Sequence, residues 1–203
     1  METADFRGLA CPLPVVRCRD LLRAGAKDLR LLVDNEPAVD NVSRFLRGQG
    51  FAVSVAQEGP ACWSLTASAD EAAGQPPAAP EARPAASAAK NGPRTLALIT
   101  TPTLGRGDDG LGAKLMTNFL TTLPELGSHL WRVILINGGV TLAATPGPAL
   151  EALQRLAADG VSVLVCGTCL THYGLLEAKA VGETSNMLDI VTSLDLADKI
   201  IRP

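Results

Sequence analysis

A stretch rich in alanine and proline interrupts the chain and limits the folds that it can adopt. Residues 70–93 carry no periodic apolar pattern, and their composition is typical of a linker. The flanking segments, of about 70 and 110 residues, each have the size of a small domain. We therefore predict two domains, at residues 1–69 and 94–203, joined by a tether that spans roughly 25 to 70 Å.

The bulk composition is that of an ordinary globular protein. Apolar residues make up 47% of the 203 residues, charged residues 19%, and the net charge is −3. That balance leaves enough apolar material for a core and supplies no basic face for nucleic acid. Apolar runs such as residues 133–136 and 161–166 have the length of strands rather than of a membrane span. We therefore expect neither nucleic acid nor a membrane among the partners.

The N-terminus and the cysteine count indicate the compartment. Residues 1–5 are acidic and lack the basic start and apolar run of a signal peptide, so we expect a cytoplasmic protein. Five cysteines in a reducing compartment do not suit a disulfide scaffold, and their number is odd. We infer that at least some of these thiols carry out chemistry.

The first segment alternates between strand and helix spacing. The pattern predicts the order βαβαββ, a two-layer sandwich with helices on one face of a sheet. Cys18 falls on the apolar face of the first helix and is interpreted as a core residue. Cys62 lies beside Trp63 on a strand, so one of the two faces inward, and we assign Cys62 no chemistry. The predicted elements are residues 3–6, 12–24, 29–33, 37–48, 51–56 and 62–67.

Strands and helices also alternate in the second segment, which predicts an α/β domain with a doubly wound, mostly parallel sheet in three layers. Strands are expected at residues 96–100, 131–136, 161–165, near 181 and at 199–202. Helical segments are expected at residues 111–123, 148–158, 170–178 and 186–193. The first of these helices is expected to bury Leu111, Leu115, Phe119 and Leu123. Reactive groups in such sheets gather at the carboxyl ends of the strands, where we expect a site.

The motif Leu9-Ala10-Cys11-Pro12-Leu13-Pro14 stands at the expected start of the first helix. Pro12 is expected at the first helical position, where its missing N–H costs nothing. Cys11 then falls near the N-cap, where unpaired N–H groups and the positive end of the helix dipole favour a thiolate. We interpret Cys11 as a reactive sulfur. The alternative is a buried cysteine beside a helix start that happens to carry prolines.

Two more cysteines, in Cys166-Gly167-Thr168-Cys169, stand where the third strand of the second segment ends. A thioredoxin-type dithiol normally follows an early strand, and a metal site that recruits His172 lacks a fourth ligand. Sulfur relay is the interpretation that we favour over both. His172 and Tyr173 either orient or protonate a leaving thiol or form part of the wall around the site.

Residues 105–110, Gly-Arg-Gly-Asp-Asp-Gly, match the dinucleotide fingerprint G-x-G-x-x-G between a strand and a helix. The adjacent Asp108 and Asp109 would repel a pyrophosphate there. The second strand is followed by Asn137-Gly138-Gly139, without the acidic residue that the fingerprint requires. We interpret the segment as a loop with an acidic helix start, and we expect neither a cofactor nor a metal.

At these motifs the chain resembles two known families. Residues 5–67, with the C-P-x-P motif of Cys11, Pro12 and Pro14, resemble the TusA/SirA-type sulfur carriers, whose cysteine holds a persulfide. Residues 94–203 resemble the DsrE-like domain, and the order of the two domains is similar to that of the YedF group, which is linked to selenium metabolism. The match through residues 167–169 and 173–175 implies that Cys169 is the family cysteine, with Cys166 as a second candidate.

The resemblance implies a carrier of sulfur or selenium rather than an enzyme that acts on a small substrate. Our hypothesis is that Cys11 receives a sulfane atom and passes it to Cys166 or Cys169. The implied partners are proteins that donate and accept persulfide or selenide, and self-association through the DsrE-like domain is expected. The alternative function is a redox-sensing regulatory module in which Cys166 and Cys169 form a reversible disulfide.

Overall fold

The computed structural model describes residues 1–69 and 92–203. The predicted linker at 70–93 lies outside the described residues, except for Gly92 and Pro93. The chain divides into two units, one built on the N-terminal residues and one on the C-terminal residues. Among the described residues, no helix combines the length and the apolar character needed to cross a membrane.

The first unit is a four-stranded sheet with two helices. In chain order its elements are β1 (Glu2–Asp5), α1 (Leu13–Arg23), β2 (Asp28–Val33), α2 (Glu36–Gly48), β3 (Phe51–Gly59) and β4 (Cys62–Ala69). The strand order is β1-β2-β4-β3, with β1 parallel to β2 and the other two pairs antiparallel. The βαβαββ arrangement predicted from the sequence is confirmed.

Side-chain alternation along the strands gives this sheet one apolar face. Leu29, Leu31 and Val33 are fully buried, whereas the intervening Arg30 and Leu32 are only half-buried on the opposite face. Both helices contribute apolar side chains to the same core as the buried strand residues: Val15, Cys18, Val42 and Leu46. Helix α1 is therefore fixed against the sheet by its packing, and it holds the Cys11 segment at its start.

Helix α1 begins one residue later than predicted. Pro12 has φ −98° and ψ 14° and is the N-cap, so Leu13 is the first helical residue and Pro14 the second. The position predicted for Pro12 was therefore wrong, because its carbonyl accepts the first helical hydrogen bond, from the Val16 N–H at 3.1 Å. Pro14, which is buried, takes a position where a missing N–H is tolerated. Cys11 precedes the N-cap, and the peptide bond that joins it to Pro12 is cis.

The second unit is a five-stranded parallel sheet between helices. Its elements are β5 (Thr95–Ile99), α3 (Asp109–Thr122), β6 (Leu130–Leu135), α4 (Pro148–Ala158), β7 (Ser162–Cys166), α5 (Gly167–His172), β8 (Glu183–Ser185), α6 (Met187–Leu196) and β9 (Lys199–Ile201), with 3-10 segments at Leu123–His129 and Asn137–Ala143. The strand order is β8-β7-β6-β5-β9, and every neighbouring pair is parallel.

The strand order reverses at β5, which makes the sheet doubly wound as predicted. Because crossovers between parallel strands are right-handed, the steps from β5 to β8 and the return to β9 place helices on opposite faces. Helix α3 packs beside α4 on one face. Helix α6 also lies on the sheet. The buried Arg132 of β6 donates a hydrogen bond to Ser193 Oγ of this helix at 2.6 Å. The three-layer architecture is confirmed.

The face that α3 buries differs from the prediction. Leu111 and Leu115 are 57% and 39% exposed, whereas Met116 and Leu120 are fully buried. Of the four residues predicted to face the core, the other two are the half-buried Phe119 and the buried Leu123. The prediction for Leu111 and Leu115 was therefore wrong.

Gly112 explains which face of α3 lies against the domain. A Cβ added at Gly112 would come within 2.9 Å of the Thr103 Cβ and 3.3 Å of the Leu104 carbonyl oxygen. The loop after β5 approaches the helix at this position, and the Leu104 N–H donates to the Gly112 carbonyl at 3.0 Å. The sequence offers two apolar faces one residue apart, and the close approach selects the face that includes Gly112 and Met116.

Three neighbouring strands of the second unit end at one edge. Strand β5 ends at Ile99, β6 at Leu135 and β7 at Cys166. The segments that follow them are the loop to α3, the 3-10 segment Asn137–Ala143 and helix α5. This edge is the one at which the sequence predicts a site, since reactive groups gather at the carboxyl ends of parallel strands.

Candidate functional site

The five cysteines differ in how far solvent reaches them. Cys11 is exposed, Cys62 and Cys169 are half-buried, Cys18 and Cys166 are buried, and none forms a disulfide. Burial raises the pKa of the Cys18 thiol to about 12, because its thiolate would lose hydration in the core. The interpretation of Cys18 as a core residue is confirmed. Solvent reaches one predicted reactive sulfur in each unit, Cys11 in the first and Cys169 in the second.

Hydrogen bonds on both sides fix the segment that carries Cys11. Upstream, the Gly8 N–H donates to Asp34 Oδ2 at 2.6 Å. Downstream, the Leu13 N–H donates to the Ala10 carbonyl at 2.8 Å. The thiol of Cys11 is therefore exposed on a backbone that is tied to its own domain, an arrangement that suits a sulfur atom presented to a second protein surface.

Cys62 has a neighbour that sequence reasoning missed. Trp63 packs against the core and Cys62 points to the opposite face, near the Arg7 guanidinium. Arg7 also pairs with the Asp5 carboxylate at 2.6 Å, and this hydrogen-bonded pairing lowers the pKa of Asp5 to about 2. Local sequence gives no signal for the contact, because Arg7 and Cys62 lie in segments that only the sheet brings together.

The two cysteines of the second unit occupy different environments. Cys166 is the last residue of β7, where it pairs with Ser185 of β8, and it is 3% exposed. It is also the N-cap of α5, so the end of the strand fixes where this short helix begins. Cys169, half-buried, lies one turn further along α5. Of the two thiols that the sequence predicts here, solvent reaches Cys169 and hardly reaches Cys166.

The sulfur of Cys169 has a hydrogen-bond donor from a neighbouring strand end. The backbone N–H of Asn137 donates to Cys169 Sγ at 3.1 Å. Within residues 1–69 and 92–203, Asn137 is the one residue other than glycine with a positive φ, of 48°. Its side-chain Oδ1 accepts a hydrogen bond from the Tyr173 hydroxyl at 3.1 Å. An N–H donor at sulfur stabilises a thiolate relative to a thiol, so the arrangement suits thiol exchange at Cys169.

Two of the predicted supporting residues adjoin this contact. Tyr173, predicted to act on a leaving thiol or to form the wall of the site, donates its hydroxyl hydrogen to Asn137. The exposed His172 ring packs edge-on against the Tyr173 ring, with 5.1 Å between centroids. In the part of the chain that the structure describes, no three His, Cys, Asp or Glu side chains come together as a candidate metal site.

Glycines after Asn137 let its segment lie on the end of strand β5. A Cβ added at Gly139 would be 2.4 Å from the Ile99 carbonyl oxygen, closer than any real side chain comes. The Ile136 N–H donates to the same oxygen at 3.0 Å. In the sequence, the Asn-Gly-Gly run stands out only as a departure from the dinucleotide pattern. The signal that it carried was a residue type that tolerates a left-handed backbone, at the carboxyl end of a central strand.

The fingerprint-like segment at 105–110 forms the start of a helix. Asp108 is the N-cap of α3, and its Oδ1 accepts a hydrogen bond from the Leu111 N–H at 2.7 Å. Asp109 lies in the first turn, where a carboxylate is favourable beside the positive end of the helix dipole. The interpretation of this segment as a loop with an acidic helix start is confirmed.

Comparisons with known proteins divide the chain in the same way. Residues 2–66 match the model of the family Sulfurtransferase TusA, and residues 94–203 match that of the DsrE/DsrF-like family. A putative sulfur carrier protein of Methanocaldococcus jannaschii is 32% identical over 60 residues, which cover 29% of this chain and 80% of that protein.

Two solved structures are similar to separate parts of the chain. A SirA-like protein from Desulfitobacterium hafniense is 28% identical and is covered completely by 35% of this chain, with a TM-score of 0.32. The ychN protein from E. coli is 19% identical, with 54% of this chain and 99% of that protein covered and a TM-score of 0.42. From the family models and the sulfur carrier relative we conclude that the chain belongs to the DsrE/DsrF-like family through residues 94–203 and to the TusA sulfurtransferase family through residues 2–66.

Proposed function

We propose that this protein relays a sulfane sulfur atom from a persulfide on Cys11 to Cys169. The observation that carries the proposal is the contrast in exposure among the thiols: Cys11 is the exposed cysteine of the TusA domain, and Cys169 is the accessible one of the pair in the DsrE-like domain. Pro12 and Pro14 support the start of the helix that follows Cys11. Cys166 is buried as the N-cap of α5, and we assign it the role of fixing the start of the helix that carries Cys169.

The transfer is a thiol exchange at sulfur. The thiolate of Cys169 attacks the terminal sulfur of the Cys11 persulfide, a new S–S bond forms at Cys169, and the S–S bond at Cys11 breaks. Cys11 leaves as a thiolate, and the proton stays on the terminal sulfur that moves. Because the sulfane atom keeps its oxidation state, the step needs no external oxidant or reductant. A linker of the predicted length would give the two sites a millimolar effective concentration.

We extend the proposal to selenium, since the same exchange moves a terminal selenium atom in place of sulfur. The similarity in domain order to the YedF group supports this extension. The protein then acts as a carrier in the cytoplasm, between proteins that donate and accept persulfide or selenide. The exposed Leu111 and Leu115 of α3 support self-association through the DsrE-like domain, because exposed apolar side chains on one helix face favour burial against another surface.

Peptide mapping after loading tests the relay. The full chain is treated with a substoichiometric amount of glutathione persulfide, quenched at intervals and digested, and each cysteine peptide is weighed for an added sulfur atom. We expect label first on Cys11 and then, as a smaller fraction, on Cys169, at a rate independent of protein concentration. Cys169→Ser should retain label on Cys11, and Cys62→Ser, a half-buried thiol of the same domain as Cys11, serves as the matched control.

Labelling of Cys169 at an undiminished rate in Cys11→Ser would contradict the relay. Repeating the experiment with selenide and a thiol oxidant, which together load selenium on thiols, gives a different mass increment and tests the extension to selenium. A reversible disulfide between Cys166 and Cys169 near cytosolic glutathione potentials, without uptake of persulfide, would favour the redox-sensing alternative instead.

A further inference from the structure

We infer that Asn137 is a positioning residue for the sulfur of Cys169, and that Tyr173 holds Asn137 in that role. The inference rests on the proposed function, because it gives the reason why Cys169 can enter thiol exchange. Asn137 follows the carboxyl end of strand β6 and lies 32 positions before Cys169 in the sequence. The contact exists because β6 and β7 are neighbours in the sheet.

The backbone of Asn137 adopts an uncommon conformation next to Cys169. Its φ of 48° lies in the left-handed region, which side chains other than glycine adopt at a cost in free energy and in which asparagine is enriched. In this conformation its N–H points at Cys169 Sγ, at 3.1 Å. A residue held in a costly conformation at the edge of the sheet where reactive groups gather is a candidate for function.

The side chain of Asn137 makes a second contact beside Cys169. Its Oδ1 accepts the hydrogen of the Tyr173 hydroxyl, at 3.1 Å. Cys169 and Tyr173 are four residues apart at the C-terminal end of α5, so they lie on the same side of the helix. Asn137 therefore contacts that side at two points, through its backbone at the sulfur and through its amide at the phenol. The two contacts together fix the direction of the N–H.

The residues that follow Asn137 prevent it from moving away. A Cβ added at Gly138 would be 3.1 Å from Pro102 Cδ, and one at Gly139 would overlap the Ile99 carbonyl oxygen at 2.4 Å. The segment is therefore closely packed on the loop and strand end behind it. Asn137 is held between this backbone and helix α5, and its N–H keeps its aim at the sulfur.

The chemical consequence concerns the charge on Cys169 Sγ. Sγ is a thiolate when it attacks a sulfane atom, and it becomes a thiolate again when a partner thiol takes that atom from it. Between the two steps it is a neutral sulfur in a persulfide. A fixed N–H donor stabilises the charged state relative to the neutral one. At a pH where Sγ is mainly a thiol, loss of the donor leaves less thiolate and should slow alkylation. The remaining thiolate is a stronger nucleophile, which offsets about half of that loss on a logarithmic scale.

Alkylation of Cys169 by iodoacetamide tests the inference without a persulfide. In this reaction the thiolate forms an S–C bond and iodide leaves. The rate is measured on the full chain by peptide mass, in Asn137→Ala, Asn137→Gly, Tyr173→Phe and the double variant with Asn137→Gly. Asn137→Ala and Asn137→Gly both lack the acceptor oxygen, and only glycine accepts the positive φ freely.

We expect Asn137→Ala to alkylate about threefold more slowly, because one net hydrogen bond changes the thiolate population by up to about tenfold and the higher nucleophilicity offsets about half of that change on a logarithmic scale. Asn137→Gly should regain most of the rate and keep about the same 1.5-fold deficit as Tyr173→Phe. In the double variant, Tyr173→Phe should add nothing, since its acceptor is already gone. Asn118→Ala, at an exposed asparagine of α3, is the control and should react at the unaltered rate.

Three results would overturn the inference: an unaltered rate in Asn137→Ala, a rate in Asn137→Gly as slow as in Asn137→Ala, or an undiminished effect of Tyr173→Phe in the double variant. If Asn137→Ala does not fold, the cycle of Asn137→Gly and Tyr173→Phe still decides. Alkylation as expected, without any sulfane sulfur on Cys169, would reject the relay and retain the positioning role. Relay at equal rates in all variants, with unchanged alkylation, would reject the positioning role and retain the relay.

Discussion

The close approach of Gly139 to strand β5 allows the packing of the segment after β6 to be tested with a single substitution. An added Cβ would lie 2.4 Å from the Ile99 carbonyl oxygen and 3.0 Å from its carbon, whereas ordinary contacts begin at 3.4 Å. Both contacting atoms belong to the backbone and cannot swing aside as a side chain would. Gly139→Ala must therefore displace the segment after β6 from the end of β5 by roughly 1 Å.

The free-energy cost follows from the contacts that this displacement disturbs. Overpacking of a well-packed interior costs about 1–3 kcal/mol. The hydrogen bond from the Ile136 N–H to the Ile99 oxygen, 3.0 Å long, is stretched beyond its useful range and removes about 1 kcal/mol more. Gly139→Ala should thus lower the free energy of unfolding by about 2–4 kcal/mol and the midpoint of thermal unfolding by about 8–16 °C. Alkylation of Cys169 should slow as well, because the Asn137 N–H moves with the segment.

Fluorescence-detected thermal unfolding measures the effect in the second domain alone. Trp63 is changed to Phe in every sample, so that Trp131 is the one remaining tryptophan. Lys114→Ala is the control, because the Lys114 side chain is exposed on helix α3 of the same domain. It should change the free energy of unfolding by less than about 0.5 kcal/mol. A midpoint for Gly139→Ala equal to that of the control would refute the close approach and the reasoning built on it.

In denaturant unfolding, Leu120→Ala should lower the free energy of unfolding by about 2–5 kcal/mol, and Leu115→Ala, at an exposed position, by less than about 0.5 kcal/mol. Equal decreases would contradict the observed face of α3. Burial raises the pKa of Cys18 from 9.0 to about 12. The stability that the buried thiol contributes should therefore be complete below pH 9 and decrease as the pH rises towards 12. In unfolding measured against pH, this decrease should be absent in Cys18→Ala. The pKa of Asp5 is lowered from 3.8 to about 2, so the stabilising effect of its carboxylate should be present above pH 3.8 and be lost as the pH falls through 2. Arg7→Gln should return the pKa of Asp5 towards 3.8 in an NMR titration. An unchanged pKa would exclude the pairing with Arg7 as the cause of the shift.

Strong periodic patterns made most of the fold predictable. The helix predicted at 148–158 is observed as Pro148–Ala158, since its starting proline and the glycine at 160 mark both ends. Helix α3 was predicted in place but with the wrong face. Its sequence carries apolar residues at both 111 and 115 and at 116 and 120, and periodicity alone does not distinguish them. The close approach of Thr103 to Gly112 determines which face of α3 is buried, and this approach depends on the tertiary fold.

The cysteines of the candidate site could be found by their place at element ends, but their differences in exposure could not. Cys166 and Cys169 look alike in sequence, and burial separates them only because β7 pairs with β8 through Cys166. The role of Asn137 beside Cys169 was not predicted for a related reason, although an asparagine at the end of a central strand was itself a signal. Its contact with Cys169 crosses from one strand end to the next, and no local pattern records which neighbouring backbone N–H points at a sulfur.

The hydrogen bond at Cys169 also bears on the direction of the relay that we propose. By stabilising a thiolate, the Asn137 N–H favours the state of Cys169 that has given its sulfane atom away, and it makes the same thiolate a better leaving group. Taken by itself, this hydrogen bond disfavours transfer from Cys11 at equilibrium by up to about tenfold. The sulfane atom should rest mostly on the exposed Cys11 until an acceptor thiol removes it from Cys169. A domain that stores sulfur and a domain that releases it would need two such different environments, one exposed at a helix start and one held by a neighbouring strand end.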